Sequence, residues 1–373
     1  MVNLMKRVLL LGAYGLDNLG DDFMLAHIIE RLKQSDIEPW IVNTYKNRFY
    51  FGNKDYNILK CPYFTKESNY VMKAIKCLIY TLLPSKERFD SVVFIGGGYT
   101  NEEKGVKDIF RFLTLLKHVC TKDCFIIFTG QTVGPASSDK MKEAISKLYG
   151  KGHRIYVREK YSQELLKSLG INSKITGDDA LLATKANSQI SKENYAIFSY
   201  KEFPGYSKYK NKIFEFYGEL AKKLCCKIYI IPFRSEEHDA EYLSNSELND
   251  YLLTKGIDSE FVMERGINEF EVFFRNAKYV IGSAYHSIVL GLMNDARVYA
   301  IYSGEYYRAK MNGVLEMFGL DSFNTTTFDN LDVERAFSIL KDADLYQKCT
   351  KNKMNMAKSV DEEWKNIIEI LMK

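Results

Sequence analysis

Along the first half of the chain, short and nearly unbroken apolar runs recur at 8–11, 40–43, 92–95, 125–128 and 155–157. A strand covered on both faces reads this way, because neither side of its pleat meets water. Between the runs lie segments with helical spacing of apolar positions, at 21–33, 71–83, 106–120, 139–149 and 161–169. Gly170 follows the last of them in a C-cap position. A further short strand is expected at 174–176. This alternation of strand and helix predicts a doubly wound parallel sheet.

The stretch 182–194 is polar and weakly periodic, and reads as a linker. The rhythm then restarts, with strands expected at 195–199, 227–232, 261–263, 279–281 and 297–301. Helices are expected at 212–224, 239–254, 268–276 and 287–294, with Asn268 and Glu271 in capping-box spacing. A last helix, 361–372, is a candidate for crossing back onto the first domain. The expected fold class is therefore α/β, with one domain over 1–183, a second over 195–345 and a C-terminal segment over 346–373. Two such open sheets facing each other leave a cleft at the carboxyl ends of their strands.

Composition narrows the chemistry. A chain of 373 residues fits two domains, and 46% hydrophobic residues suffice for two cores. A net charge of +4 is too mild to argue for nucleic acid. It suits an anionic substrate or a weak contact with a membrane surface. The seven cysteines form no CxxC pair, which argues against a zinc site or a disulfide framework and for thiols in a reducing cytosol. The N-terminal apolar run is too short for a signal peptide, and no run of about 18 apolar residues is present to span a bilayer. A cytoplasmic protein without a metal is expected.

Candidate chemistry gathers at predicted strand ends. After the first strand comes Gly12-Ala13-Tyr14-Gly15-Leu16-Asp17-Asn18-Leu19-Gly20-Asp21-Asp22. Its glycines permit positive φ and close approach of a ligand, and the following helix N-terminus offers N–H groups to an anion. It is neither a dinucleotide fingerprint nor a P-loop. A tight turn with Asp21 as helix cap is the alternative. Gly96-Gly97-Gly98 follows the strand at 92–95, and Gln131 lies in Thr129-Gly130-Gln131-Thr132-Val133-Gly134-Pro135 after the strand at 125–128. Gln131 both donates and accepts, as a sugar hydroxyl requires. A flexible loop and a Gly-Pro turn are the respective alternatives.

Arg158, after the strand at 155–157, suits a bidentate grip on phosphate or carboxylate, or else a surface ion pair. Either Asp178 or Asp179 is placed to orient a sugar or a catalytic His, or to cap a helix. In the second half, Ile281-Gly282-Ser283-Ala284-Tyr285-His286-Ser287 joins a strand to a helix. An imidazole there suits acid–base work near neutral pH, or a structural role held by backbone. Arg234, Arg308 and Lys310 fall in expected loops, where they are either solvated or a phosphate clamp. Finally, 70–83 is apolar with two lysines, and either covers a sheet or lies on a membrane near a lipid-linked acceptor.

Taken in order, these segments resemble the polysaccharide pyruvyl transferase family. Gly12-Ala13-Tyr14-Gly15-Leu16-Asp17-Asn18-Leu19-Gly20-Asp21-Asp22 is similar to its Gly-aromatic-Gly-x-x-Asn-x-Gly-Asp-Glu start. Ile95-Gly96-Gly97-Gly98, Gly130-Gln131-Thr132-Val133-Gly134-Pro135, Val157-Arg158-Glu159-Lys160-Tyr161-Ser162 and Gly177-Asp178-Asp179-Ala180 resemble later family segments. So do 277–286 and 307–319, and the likeness runs from about residue 8 to about 320.

The resemblance implies a GT-B-like pair of Rossmann-like domains facing a cleft. It also implies transfer of a pyruvyl group from phosphoenolpyruvate to two hydroxyls of a cell-envelope or exopolysaccharide sugar, as a ketal. Phosphoenolpyruvate is then a co-substrate and no cofactor is needed. On that reading His286 and Asp178 are catalytic. Arg158, Ser283, Tyr285, Ser287, Arg234, Arg308 and Lys310 hold the donor. Gly15, Asn18, Asp21, Gly97, Gly98 and Gln131 face the saccharide, which would be free or lipid-linked at the inner face of the membrane. The chain departs from the family where Ala284-Tyr285-His286 replaces Arg-Leu-His, the Arg being the family's clamp on the donor anion. Either Arg234 or Arg308 supplies the missing charge or the donor differs, as in a GT-B-like glycosyltransferase using an activated sugar. A non-catalytic carbohydrate-binding relative is the third reading.

Overall fold

The computed structural model describes residues 6–44, 46, 49, 56–65, 69–184, 192–201, 206–262, 266–321 and 324–373. The middle of the expected linker, 185–191, and Met263 of an expected strand lie outside the described residues. The chain divides into two compact units, one of Met1–Leu182 with Lys358–Lys373 and one of Ala183–Ala357.

In the first unit the elements run β1 (Lys6–Leu11), α1 (Leu19–Lys33), β2 (Ile37–Val42), β3 (Asn57–Leu59), α2 (Tyr70–Leu82), β4 (Phe89–Phe94), β5 (Gly97–Thr100), α3 (Val106–Val119), β6 (Cys120–Val133), α4 (Asp139–Tyr149), β7 (Arg154–Val157), α5 (Lys160–Ser168) and β8 (Lys174–Ile175). The sheet is parallel in the order β3-β2-β1-β4-β6-β7-β8, with β5 pairing β6 off that path. Strand order therefore reverses between β1 and β4. Apolar runs form these strands because both faces are covered: Leu9, Leu11, Val92, Phe94, Ile126 and Phe128 sit in one core, and Leu10, Val93 and Ile127 on the opposite face are buried too.

The second unit runs β9 (Tyr195–Ser199), α6 (Tyr206–Leu224), β10 (Lys227–Ile230), α7 (Ala240–Thr254), β11 (Ser259–Phe261), α8 (Ile267–Asn276), β12 (Tyr279–Gly282), α9 (Tyr285–Met293), β13 (Arg297–Tyr302), α10 (Gly304–Met317), β14 (Thr325–Thr327) and α11 (Val333–Lys341). The order β11-β10-β9-β12-β13-β14 is again parallel and reverses between β9 and β12, the doubly wound order. The final helix, α12 (Ala343–Met372), starts in this unit, and its last turns belong to the first.

Several local expectations change. Gly97 opens strand β5 instead of a free loop, because β6 continues to Val133 and gives it an edge to pair with. Helix α1 begins at Leu19, so Asn18 is its cap and Asp21 lies inside the first turn. Helix α8 starts after Gly266 with no side-chain cap, and Glu271 pairs with Arg275 instead of closing a capping box. Arg308 and Lys310, expected in a loop, lie on α10. Among the described residues no helix is long and apolar enough to cross a membrane.

Candidate functional site

In each unit the strand order reverses next to glycine-rich strand ends, where open parallel sheets leave room for ligands. In the first unit, β1 is followed by Gly12, whose missing Cβ would meet Ile95 Cγ1 at 2.6 Å. Gly15 holds φ at +65°. Its N–H donates to Asp22 Oδ1 at 2.7 Å, and its carbonyl accepts from Thr44 Oγ1 at 2.6 Å. Tyr14 is buried beneath, donating to Leu10 O at 2.6 Å and accepting from the Val42 amide at 3.0 Å. Burial pushes its phenol well above the ordinary value. Asn18 accepts from the Gly20 amide at 3.1 Å. The turn is thus held in shape by its own acid, Asp22, before any ligand arrives.

Below this turn lies a fully enclosed polar network. Arg158 Nε sits 3.0 Å from Asp178 Oδ2, with neither side chain exposed. The same Nε–H donates to Gly130 O at 2.5 Å. Asp178 Oδ1 accepts from the Ala180 amide at 2.9 Å. Asp179 Oδ2 accepts from the Gly96 amide at 2.8 Å and from Thr129 Oγ1 at 2.7 Å, and its Oδ1 accepts from Trp364 Nε1 at 3.1 Å. Burial raises the Asp179 carboxyl above the usual range, although Thr129, Trp364 and Gly96 all work against it. Gln131 Nε2 donates to the carbonyls of Ile95 and Thr129, both at 2.8 Å, while its Oε1 accepts from Tyr149 OH at 3.1 Å.

These contacts correct three expectations. Arg158 is not an open anion grip, because its guanidinium is enclosed by Asp178, Gly130 and Met24. Asp178 spends its carboxylate on Arg158 and on the backbone. Gln131 spends its amide on the sheet and on Tyr149, with none of its surface exposed. Gly98 accepts from Asn101 Nδ2 at 2.8 Å, and Gly97 packs against the Tyr99 ring, where a Cβ would approach to 2.6 Å. Among the described residues of this unit, a pocket of about 400 Å³ opens beside Gly12, Ala13 and Leu16, walled by Tyr63, Phe64 and Phe112.

In the second unit the reversal point carries the imidazole. Gly282 ends β12 against β9, where a Cβ would meet Ser199 Oγ at 2.3 Å, so only glycine allows this approach. Ser283 Oγ accepts from the Lys201 amide at 2.7 Å and lies 3.3 Å from the Lys201 carbonyl, tying the two strand ends together across the reversal. Ala284 is the N-cap of α9 and makes no side-chain cap bond, and its carbonyl accepts from the Ser287 amide at 3.1 Å. His286 is 6% exposed on the first turn, its ring 5.1 Å from that of Tyr285. Lys310 Nζ stands 4.1 Å from the Tyr285 ring centroid. Ser287 is buried on the same turn, and its Oγ has no hydrogen-bond partner.

Lys201, which no motif marks, follows β9 at the same reversal point. Its Nζ lies 4.9 Å from the Tyr307 ring centroid. Burial works against its charge, but Tyr307 and Glu241 outweigh burial and hold it above the ordinary lysine value. Glu241 is buried, accepts from the Phe233 amide at 2.7 Å, and is itself raised by burial in spite of Lys201 and Arg234. Arg234 pairs with Asp239 at 3.3 Å. Arg308 turns to Glu305 at 2.6 Å on the exposed side of α10. Tyr285, His286, Ser287 and Lys310 thus gather at the start of α9, Ser283 ties that start to the Lys201 backbone, and Arg308 faces Glu305 instead. Among the described residues no group of three His, Cys, Asp or Glu is arranged to hold a metal ion.

Solved structures of like fold include MurG of Acinetobacter baumannii, at 10% identity and TM-score 0.52 over 98% of this chain and 99% of that one. The UDP-GlcNAc 2-epimerase of Methanocaldococcus jannaschii reaches TM-score 0.55 at 15% identity over 91% and 92%. UDP-N-acetylglucosamine 2-epimerase of Rickettsia bellii reaches 0.55 at 12% over 96% of each chain. At these identities the likeness is one of fold, a GT-B-type chain of two parallel α/β units. No curated protein matches this sequence. A family model for polysaccharide pyruvyl transferases matches residues 18–305, spanning both units, and the chain belongs to that family.

Proposed function

We propose that this protein transfers a pyruvyl group from phosphoenolpyruvate to two hydroxyls of an envelope or exopolysaccharide sugar. The observation that carries the reading is the placement of His286. It stands on the first turn of a helix at the reversal point of a parallel sheet, next to Tyr285, whose ring carries the Lys310 ammonium, with the backbone of Lys201 bonded to Ser283 at the same strand ends. The helix amides and the two ammonium groups suit the donor's carboxylate and phosphate. His286 then serves as acid and base. A proton added to the enol methylene makes it a methyl group and leaves an oxocarbenium-like carbon. One sugar oxygen bonds to that carbon and gives up its proton. The C–O bond to phosphate breaks, the second hydroxyl oxygen bonds to the same carbon to close the ketal, and its proton leaves with the departing phosphate as hydrogen phosphate.

Lys201 and Lys310 take over the charge that the family's Arg supplies where this chain has Ala284. Asn18 and Asp21, with the turn at Gly15, are the acceptor-side groups this reading retains. Gly97 and Gly98 are retained as backbone approach. The acceptor is a saccharide, free or lipid-linked.

Ala284 also favours a second reading, a glycosyl transfer from a nucleotide-activated sugar on the same architecture. Thermal unfolding separates the two. A ligand at a hundred times its Kd adds about 2.7 kcal/mol to the folded state. Phosphoenolpyruvate is expected to raise the unfolding temperature and nucleotide-sugars are not. A shift with nucleotide-sugars alone would contradict the proposal.

A further inference from the structure

Helix α2 (Tyr70–Leu82) is turned inside out. Its half-buried positions are Lys73, Cys77 and Tyr80, spaced i, i+4, i+7 along one face. That face rests on the chain beneath it. Tyr63 OH donates to Cys77 O at 3.4 Å, Lys73 Nζ donates to Thr65 O at 2.7 Å, and the Tyr80 ring lies 4.1 Å from that of His118. The opposite face, where a solvated helix would carry charge, is apolar: Val71 is 68% exposed, Leu78 59% and Leu82 73%. Of the seventeen large hydrophobic side chains exposed among the described residues, eight fall between Tyr70 and Leu83, so the apolar surface is one patch and not scatter.

Charge indicates what covers it. The helix has two lysines and no acid, and 69–88 as a whole carries four basic residues against one acidic, a net +3. A helix of this kind, apolar outward and basic along its flank, is built to lie in the plane of an anionic lipid surface. We propose that α2 docks this protein on a membrane bearing anionic headgroups. The pocket of about 400 Å³ adds a reason for docking there: Lys73 of this helix and Gly12 and Ala13 of the first turn line the same space. An acceptor anchored in the bilayer would reach the glycine turn through it. The docking surface stands apart from the donor chemistry and does not depend on it.

The test is sedimentation of the full chain with vesicles of phosphatidylcholine alone or mixed with phosphatidylglycerol, paired with light scattering of the protein alone. The wild type is expected to bind the mixed vesicles at least about ten-fold better than the neutral ones, and Lys76→Gln to lose about five-fold. Leu78→Glu with Leu82→Glu, both exposed and so compatible with folding, is expected to abolish binding while circular dichroism stays unchanged. Wild-type protein left in the supernatant with both vesicles would overturn the proposal. So would undiminished binding by the double variant. A dimer that the same two substitutions dissociate, without vesicle binding, would overturn it too and assign the face to a second copy.

Discussion

Arg158 Nε stands 3.0 Å from Asp178 Oδ2, and both side chains are wholly enclosed. Removing one partner of such a pair leaves the other charged and desolvated, which costs about 3–5 kcal/mol. Asp178→Asn and Arg158→Met are each expected to lower stability by that amount in urea unfolding. The two together should cost less than their sum, because the uncompensated charge is gone. If Arg158 instead held the donor, Arg158→Lys would raise the donor KM with stability unchanged.

On the proposed reading, Lys201 and Lys310 carry the cationic role at the second reversal point. A hydrogen bond to a charged group is worth about 1.5–3 kcal/mol, or roughly ten- to hundred-fold in binding. Lys201→Met and Lys310→Met are each expected to weaken phosphoenolpyruvate binding by about that factor, measured by calorimetric titration. Arg308→Met, whose guanidinium already faces Glu305, should leave it within about two-fold.

Lys192 offers a pH signature in the second unit. Its ammonium donates to the carbonyls of Arg275 and Asn294, and burial brings it down to about 8, with Asp295 opposing and Lys353 assisting. Between about 8 and the ordinary lysine value near 10.4 the unfolded chain binds more protons than the folded one. Stability from this group therefore rises as pH climbs through that window. The unfolding temperature of the wild type relative to Lys192→Met is expected to increase from the lower to the upper end, and a flat difference would show that Lys192 is not responsible.

Trp364 lies in the last turns of α12, 1% exposed, and its indole N–H reaches Asp179. Trp364→Ala removes a large core side chain and a hydrogen bond from a buried carboxyl, at an expected cost of about 3–5 kcal/mol. Trp364→Phe keeps most of the volume and should cost about 1–3 kcal/mol, the price of leaving one acceptor unpaired. A loss confined to Trp364→Ala, with Trp364→Phe as stable as the wild type, would argue that packing alone matters there.

How much of this was legible beforehand follows from range. The doubly wound rhythm showed because a strand covered on both faces needs a continuous apolar run, as at Val92 and Val93, and that is a local property. The short strands Asn57–Leu59 and Thr325–Thr327 carry no such run and exist only because a neighbouring edge is present to pair with. The fate of Arg158 was hidden for the same reason: its partner Asp178 comes from another segment, and only the folded sheet brings them together. Lys201 follows a strand without a motif, so nothing near it in sequence marks it. The His286 segment was legible because strand, glycine and helix start are contiguous there.

The proposed function has the imidazole of His286 turn over a phosphoenolpyruvate donor. Its most direct test is the rate of phosphate release from phosphoenolpyruvate in the presence of a saccharide acceptor, with the ketal methyl group followed by NMR. The wild type should release phosphate as the ketal forms, and His286→Asn, with an unchanged unfolding curve, should be slower by about 10²–10⁴-fold. Equal rates in the two proteins would contradict the account.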